Sequence, residues 1–560
     1  MLFKLRKFFP KISISEILFI VLVSICYGLS TILTIYLLSN ISPIINNAES
    51  YHLPTFLNFF INNFIKIFNL TTLSAYIVMS ITAIIAMSIC GTLKIYLTHK
   101  IAALARNDLS IKLLNKTIDT NSPFTDNTHS GKIKNLVLDE SMHVVLQSLK
   151  PVIEIFSSII FIIILVINLF FFNSFLTVVF TFIFSIFYLL NYFIFKNVIK
   201  KYGELRYLSN KDRFEKIDDA LNSRIISNVL NTKNLFEDRY KKSSSQMAQN
   251  QYMFEFISQT PKIIMESVIF FSIIIAFYLL TKDIIQNNSD NAFIETLIIF
   301  AFTGIKILPE FQRIFLNFGF IKFGEKSQKY VMTILNYKKL PFIYNKVSNA
   351  LIHFRCDFSL KGEKKILKKI NFKINKNDII AISGASGSGK TTFISSLMGI
   401  SPINLNNKFG YFKTNYKIGY LPQESQLFSG SIIENIIMGR KKSNNDLVNI
   451  EKNVKDLFRE LKNKKEVKLF LKRKIKNVDN PLSIGQKQRL GLLRSLYDNP
   501  DILVLDEFTS ALDKKNEEII LKYINQIKFL KSIIIVGHKK NTFKNCNRFL
   551  YLNDGNLYEK

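Results

Sequence analysis

The chain has 560 residues, 48% of them hydrophobic, and carries 74 Lys and Arg against 42 Asp and Glu, a formal net charge of +32. That length exceeds one ordinary domain, and a mean hydropathy of +0.18 is too high for a wholly soluble protein and too low for one wholly embedded in lipid, so a composite is indicated. Basic residues are spread over the polar stretches instead of gathered into one module, which argues against a nucleic-acid partner. Heavy use of Ile, Lys, Asn and Phe, with no Trp, points to compositional bias, so charge informs only through its placement. The four cysteines, Cys26, Cys90, Cys356 and Cys546, lie far apart without metal-ligand spacing and read as inert.

Lys4, Arg6, Lys7 and Lys11 precede an apolar run that is too long for a signal peptide and lacks a small-residue cleavage site, so a retained helix is expected. Crossing a bilayer takes about 20 apolar residues, and six segments qualify, near 15–39, 72–98, 151–172, 174–196, 262–281 and 292–316. Only a few residues around Asn173 and Ser174 separate the third and fourth, which predicts a tight outer hairpin. The stretches 99–150 and 197–261 are rich in Lys and Arg, whereas 43–71 and 282–291 carry only Lys66 and Lys282. Positive charge marks the cytosolic side, which puts both termini in the cytosol, and a bacterial cytoplasmic membrane is the expected location.

The two inner loops keep helical spacing of apolar positions, as at Ile217, Leu221, Ile225 and Ile226, and predict long helical arms below the membrane. A polar stretch then closes the membrane part, and short β-type runs alternate with helices, as in Asp378–Ser383, Ile502–Leu505 and Ser532–Gly537. The expected division is a membrane domain over 1–325, a linker over 326–348 and a soluble α/β domain over 349–560.

Gly384-Ala385-Ser386-Gly387-Ser388-Gly389-Lys390-Thr391 follows the apolar run Ile379–Ser383 and precedes a helical stretch that opens with Thr392. That is the context of a phosphate-binding loop: glycines turn backbone N–H groups toward phosphate, Lys390 supplies a point charge, and Thr391 can ligate Mg²⁺. A second apolar run, Ile502–Leu505, ends in Asp506 and Glu507. Asp506 can hold Mg²⁺ through water, and Glu507 can orient or deprotonate the attacking water. An acidic pair after a strand is often a solvated turn, but the phosphate loop upstream favours the catalytic reading.

Leu482-Ser483-Ile484-Gly485-Gln486 with Lys487-Gln488-Arg489 resembles the signature of ABC ATPases, and Asp506-Glu-Phe-Thr-Ser510-Ala511-Leu512-Asp513 resembles their Walker B and D-loop run. Gln423 in Gly419-Tyr-Leu-Pro-Gln-Glu424 is similar to their Q-loop, and His538 to their switch histidine. The order of membrane domain then ATPase domain resembles an ABC exporter half-transporter. The resemblance implies an all-α domain of six membrane helices with long cytosolic extensions, followed by an α/β P-loop ABC ATPase domain. It implies ATP and Mg²⁺ as ligands, with Gln423 joining Thr391 and Asp506 at the metal and Gln423 and His538 joining Glu507 in catalysis. A second half-transporter, an identical chain by preference, would bring Ser483, Gly485 and Gln486 to the first chain's ATP, and loop tips near 121–130 and 222–234 resemble coupling helices.

Departures from the pattern are Ile484 where the signature has glycine, Leu360 where an aromatic stacks on adenine, Asn477 where an acid precedes the signature, and a short stretch between Lys390 and Gln423. The β-branch of Ile484 is expected to crowd a turn that needs φ > 0.

For substrate, Pro261-Lys-Ile-Ile-Met-Glu266 and Lys306-Ile-Leu-Pro309-Glu-Phe-Gln-Arg313 resemble flippases of lipid-linked oligosaccharides. Lys306 and Arg313 are seven apart and share a helix face, so they could line a cavity for an anionic lipid headgroup. The competing reading pairs both with Glu310 as a structural ladder. Membrane lipids are the expected partners, with a peptide or bacteriocin exporter as the alternative and a non-transporting membrane ATPase as a further one.

Overall fold

The computed structural model of the chain describes residues 13–39, 63, 65–67, 71–118, 133–287, 290–336, 351–359, 365–398, 411–413, 416–441, 443–476, 482–509, 512–538 and 540–559. Two compact units emerge, one built mainly from residues up to 337 and the other mainly from 338 onward.

The first unit is helical: α1 Ile14–Ser39, α2 Thr72–Ile118, α3 Asn135–Phe172, α4 Ser174–Asn222, α5 Lys233–Asn287, α6 Asp290–Phe323 and α7 Glu325–Asn336. The six expected spans fall on α1 to α6 in order. Helices α1 to α4 contain apolar windows with mean hydropathies from 2.1 to 2.9. Phe171, Phe182 and Ile163 on their surfaces are exposed, the reverse of a water-facing helix and what hydrocarbon solvent demands. The chain is thus a multi-pass membrane protein.

Asn173 makes the sharp turn between α3 and α4: its backbone is extended, and its side-chain carbonyl accepts from the Leu176 N–H, an N-cap that starts α4 at once. Both α4 and α5 run well beyond the expected spans, to 222 and from 233, and a six-residue helix, Arg224–Val229, joins them. The loop tip expected near 222–234 is this helix, whereas 121–130 lies outside the described residues. Helix α7 occupies the first part of the stretch suggested as a linker.

Leu165, Leu169, Ile299 and Ile307 form the centre of the helical core, where α3 packs along α6. Lower down, α4 and α6 touch backbone to side: a Cβ on Gly203 would lie 2.2 Å from the Phe323 carbonyl, so only glycine permits that crossing.

The second unit starts with β1 Ile352–Ser359 and β2 Lys365–Ile374, which pair antiparallel, and the three-residue β4, Tyr411–Lys413, completes a small sheet of order β2-β1-β4. The main sheet uses β3 Ile379–Ser383, β5 Ile418–Leu421, β8 Ile502–Asp506, β9 Ser532–Val536, β10 Arg548–Asn553 and β11 Asn556–Glu559, in the order β11-β10-β3-β9-β8-β5. All neighbours from β10 to β5 are parallel. Residues of β8 and β9 are buried throughout, as continuous apolar runs in a two-faced parallel sheet require. The strand pair β6 Gly430–Ser431 and β7 Lys474–Ile475 stands apart beside a helical region. The class inferred from sequence, an all-helical membrane domain followed by an α/β domain, is the one found.

Candidate functional site

Four loops follow the carboxyl ends of adjacent parallel strands, the edge at which such sheets bind ligands. After β3 comes the loop Gly384–Gly389, then helix α8, Lys390–Leu397. Gly387 and Gly389 have φ of 80° and 98°, and a Cβ on Gly387 would meet nothing within 4 Å, so the loop is open above its backbone. Lys390 is buried and its ammonium turns back on the loop, donating to the carbonyls of Gly384 at 2.9 Å and Ala385 at 3.1 Å. Ser388 Oγ is buried and has no hydrogen-bond partner among the described residues. Ala385 and Ser386 are exposed, and Thr391 and Thr392 lie in the first turn of α8.

Glu507 follows β8 with a left-handed backbone, φ 39°, fixed by its N–H bond to the Val536 carbonyl at 3.0 Å. A non-glycine residue in that region is uncommon and marks a position dictated by its surroundings. The Glu507 carboxylate stands at the centre of the expected set. Lys390 Nζ lies 3.8 Å away, His538 Nε2 3.6 Å away, and Gln423 Nε2 donates to it at 3.3 Å.

Asp506 is buried, and Tyr420 donates its hydroxyl to Oδ2 at 3.1 Å. Burial above all holds the Asp506 carboxyl above the usual range, against the Tyr420 hydrogen bond, with the Glu507 charge raising it further and Lys390 lowering it. Such a carboxyl gains strongly from a cation. With Thr391 on the adjacent helix and an open, donor-rich loop beside it, the residues present fit a Mg²⁺–nucleotide complex.

The signature lies at the start of helix α9, Ile484–Leu496. Ser483 is its N-cap: its hydroxyl accepts from the Gln486 N–H at 3.2 Å and its own N–H donates to Gln486 Oε1 at 3.1 Å. The expectation of a crowded positive-φ turn at Ile484 is corrected here. Ile484 is the first residue of α9, does not have positive φ, and is 56% exposed, because the capping box lets the helix begin directly after Ser483. The crowded position is Gly485, where a Cβ would lie 2.9 Å from Asn516 Nδ2. Two roles escaped the sequence reading, which quoted the residues only within motif runs: that of Tyr420, and that of Gln488, whose side-chain amide donates to the Gln423 carbonyl while it accepts from Ser425 at 2.9 Å. A polar residue on the buried face of α9 was the available signal. Leu360, Asn477, Ser510 and Ala511 lie outside the described residues.

In the helical unit, a cavity of about 360 Å³ lies among α4, α5 and α6, lined by Tyr188, Asn191, Gln259, Gln312 and Arg313. Pro261 and Pro309 also border it, each removing an i→i−4 backbone bond within its helix. Arg313 donates to Glu310 at 2.7 Å. Lys306 does not: among the described residues it has no ion-pair partner, and it does not line the cavity. The second cation on Glu310 is Lys94 of α2, 3.8 Å away.

The profile described as the ABC transporter transmembrane region matches residues 17–305, and that described as ABC transporter matches residues 367–510. The chain belongs to the ABC transporter family. This ABC transporter chain is similar to a putative export ATP-binding/permease protein of Rickettsia bellii, at 32% identity over 39% of each chain. It is also similar to the ATP-dependent permease MDL1 of Candida albicans, at 30% over 42% of this chain and 37% of that one. A third relative is the lacticin-481/lactococcin-DR transport/processing ATP-binding protein of Lactococcus lactis, at 33% over 40% of this chain and 32% of that one. The chain thus spans less than two fifths of the length of these relatives. In fold it resembles a bacterial Atm1-family ABC exporter solved with ATP bound, with a TM-score of 0.78, 15% identity, and coverage of 98% of this chain and 94% of that one.

Proposed function

We propose that the chain is an ATP-driven half-transporter that exports or flips an anionic amphiphile, a lipid-linked oligosaccharide or another lipid, across a bacterial cytoplasmic membrane with both termini cytosolic. The observation that carries the ATPase reading is the convergence of Lys390, Gln423 and His538 on one carboxylate, Glu507, at the strand ends beside an open phosphate loop.

In this reading Gly384–Gly389 and Lys390 bind the β- and γ-phosphates of ATP, with Thr391 and Thr392 closing the loop from α8. Thr391, Gln423 and Asp506 would hold Mg²⁺, which supplies charge neutralisation on the phosphates. Glu507 takes the proton of the attacking water, oriented by Gln423 and His538 on either side. One chain cannot enclose the γ-phosphate. Ser483, Gly485 and Gln486 open a helix N-terminus suited to an anion, and a second half-transporter, an identical chain, would present them to the first chain's ATP.

The cavity supports the anionic substrate class. Arg313 lines it as a cationic donor, and its other walls include Phe311, Phe315 and Leu316. The test is ATP hydrolysis and flipping of a lipid-linked oligosaccharide by the full chain in proteoliposomes. Hydrolysis stimulated by that lipid, with transfer across the bilayer, is the expected result, and absence of both rejects the reading. The name of the Lactococcus relative favours a second reading, peptide export, for which a peptide and not a lipid would stimulate hydrolysis.

A further inference from the structure

Glu310 is 4% exposed and joins more helices than the cavity requires. Its carboxylate accepts from Ser158 of α3 and from Arg313 of its own helix α6, and it lies 3.8 Å from Lys94 Nζ of α2. Lys94 is 5% exposed, and its ammonium has no hydrogen-bond partner among the described residues. Around it lie two ring faces, Tyr27 of α1 at 5.5 Å and Phe161 of α3 at 5.9 Å, and the Glu154 carboxylate of α3 adds a further negative charge. Cation–π contact offsets part of the cost of burying an ammonium, but an ammonium has three protons to place. Two buried or half-buried cations therefore share the Glu310 carboxylate, which hydrogen-bonds Arg313 and leaves Lys94 at ion-pair distance without a hydrogen bond.

Arg313 also faces the cavity, whereas Lys94 and Glu310 are not among its lining residues. There the Arg313 guanidinium presents a planar fork of donors, which fits an acceptor-rich oxyanion of phosphate type. Its arrival gives Arg313 a second anion. Glu310 then becomes free to close the remaining ångström to Lys94 and reach charge-assisted hydrogen-bond distance.

We propose that Glu310 is an exchangeable counter-ion, held by Arg313 when the cavity lacks an anion and passed to Lys94 when a phosphate-type anion with an apolar body occupies Arg313. This rests on the anionic-substrate reading of the cavity given above. The exchange makes Lys94, a residue that does not touch the ligand, a positioning residue for its binding. It also tightens the existing ion pair between α2 and α6 when the cavity is filled.

The experiment uses the full chain in lipid nanodiscs with Phe311→Trp as a fluorescence reporter, since the chain has no Trp of its own. The probes are farnesyl diphosphate, inorganic pyrophosphate and farnesol. Farnesyl diphosphate should bind, and Lys94→Met should weaken it about tenfold, the scale of one charge-assisted contact, because Glu310 then has nowhere to go and keeps Arg313 occupied. Lys94→Arg should retain affinity. Adding Glu310→Gln to Lys94→Met should restore it, because Arg313 is released, a recovery that a merely structural role for Lys94 does not give. Reporter chain with Lys94 and Glu310 intact that binds none of the anions overturns the anionic site and the exchange with it, as does farnesol binding as tightly as the diphosphate. Diphosphate binding that Lys94→Met leaves unchanged, or that the double variant fails to restore, overturns the exchange alone. Inorganic pyrophosphate binding as tightly as the farnesyl form supports the exchange and assigns the ligand to free anions instead of lipid headgroups.

Discussion

Gln423 donates its side-chain amide to Glu507 across 3.3 Å, and its main-chain carbonyl is held by Gln488 of the signature helix. One residue at the end of β5 thus connects the carboxylate at the end of β8 to the helix that would face a partner's nucleotide. A displacement of that helix cannot leave the Gln423 loop unmoved while both bonds persist. The strand that precedes that loop, β5, contains Tyr420, whose hydroxyl donates to the neighbouring carboxylate, Asp506.

Glu507→Gln is isosteric and keeps an acceptor for Gln423 while removing the base. Lys390, the open loop and Asp506 are untouched, so ATP affinity should stay within a few-fold. Turnover should fall by about two to four orders of magnitude, the range of a positioned general base. Nucleotide binding and phosphate release by the reconstituted chain check both halves, and near-normal hydrolysis rejects Glu507 as the base.

The signature gives two substitutions with opposite outcomes. Ile484→Gly removes an exposed side chain at the first position of α9, where helix propensity counts for little, and should preserve ATPase activity. Gly485→Ala places a methyl 2.9 Å from Asn516 Nδ2, whose amide is bonded to Asp513, and should lower activity several-fold. A large loss in Ile484→Gly would instead mean that the exposed isoleucine packs against a partner.

Much of this was legible in the sequence because each nucleotide motif is local. Lys390, Gln423, Asp506, Glu507 and His538 each lie at the carboxyl end of an apolar β-run or a short loop beyond it, and a parallel sheet delivers such residues to one edge whatever lies between. The six membrane helices were legible because continuous apolarity survives without knowledge of packing. The Ile484 expectation failed because it treated the signature as a turn, while the Ser483 and Gln486 side chains cap a helix there. Lys94 was illegible for a different reason. Its meeting with Glu310 joins α2 to α6, and no spacing rule reaches across a separation of 216 residues; the i, i+7 pair Lys306 and Arg313 was the signal periodicity could give.

That difference separates two cations that the helix spacing treats alike. Arg313→Ala removes the donor fork from the cavity and leaves Glu310 to Lys94, so flipping should fall at least about tenfold, the cost of one charge-assisted contact, while basal ATPase continues. Lys306→Ala, away from the cavity and from Glu310, should change flipping by less than about threefold, a difference below 1 kcal/mol. Transport by the two single variants in proteoliposomes decides it. Equal losses would return Lys306 to the site, and wild-type flipping by Arg313→Ala would leave Arg313 a structural partner of Glu310.

Arg548 offers a test of stability in the nucleotide-binding unit. Its guanidinium holds both oxygens of Glu559 at 2.7 and 3.1 Å, the Lys373 carbonyl at 2.9 Å and Asp378 at 2.5 Å, so it fastens β10 to β11, to the end of β2 and to the turn before β3. Arg548→Met keeps much of the packing over Phe372 but leaves the buried Asp378 without its cation. The loss of a bond to a charged group is worth about 1–3 kcal/mol, or several degrees in melting temperature for a unit of this size. The Arg548 hydrogen bonds hold the Glu559 carboxyl below its ordinary value. A carboxyl depressed by folding contributes its stability above its unfolded pKa, near 4.3, and loses it as pH falls through the lower folded value. The gap in melting temperature between wild type and Arg548→Met should therefore be full at pH 7 and narrow below about pH 4 as Glu559 is neutralised. Thermal unfolding of the full chain at the two pH values measures it, and a gap of the same size in acid would assign the effect to packing against Phe372 and not to the ion pair.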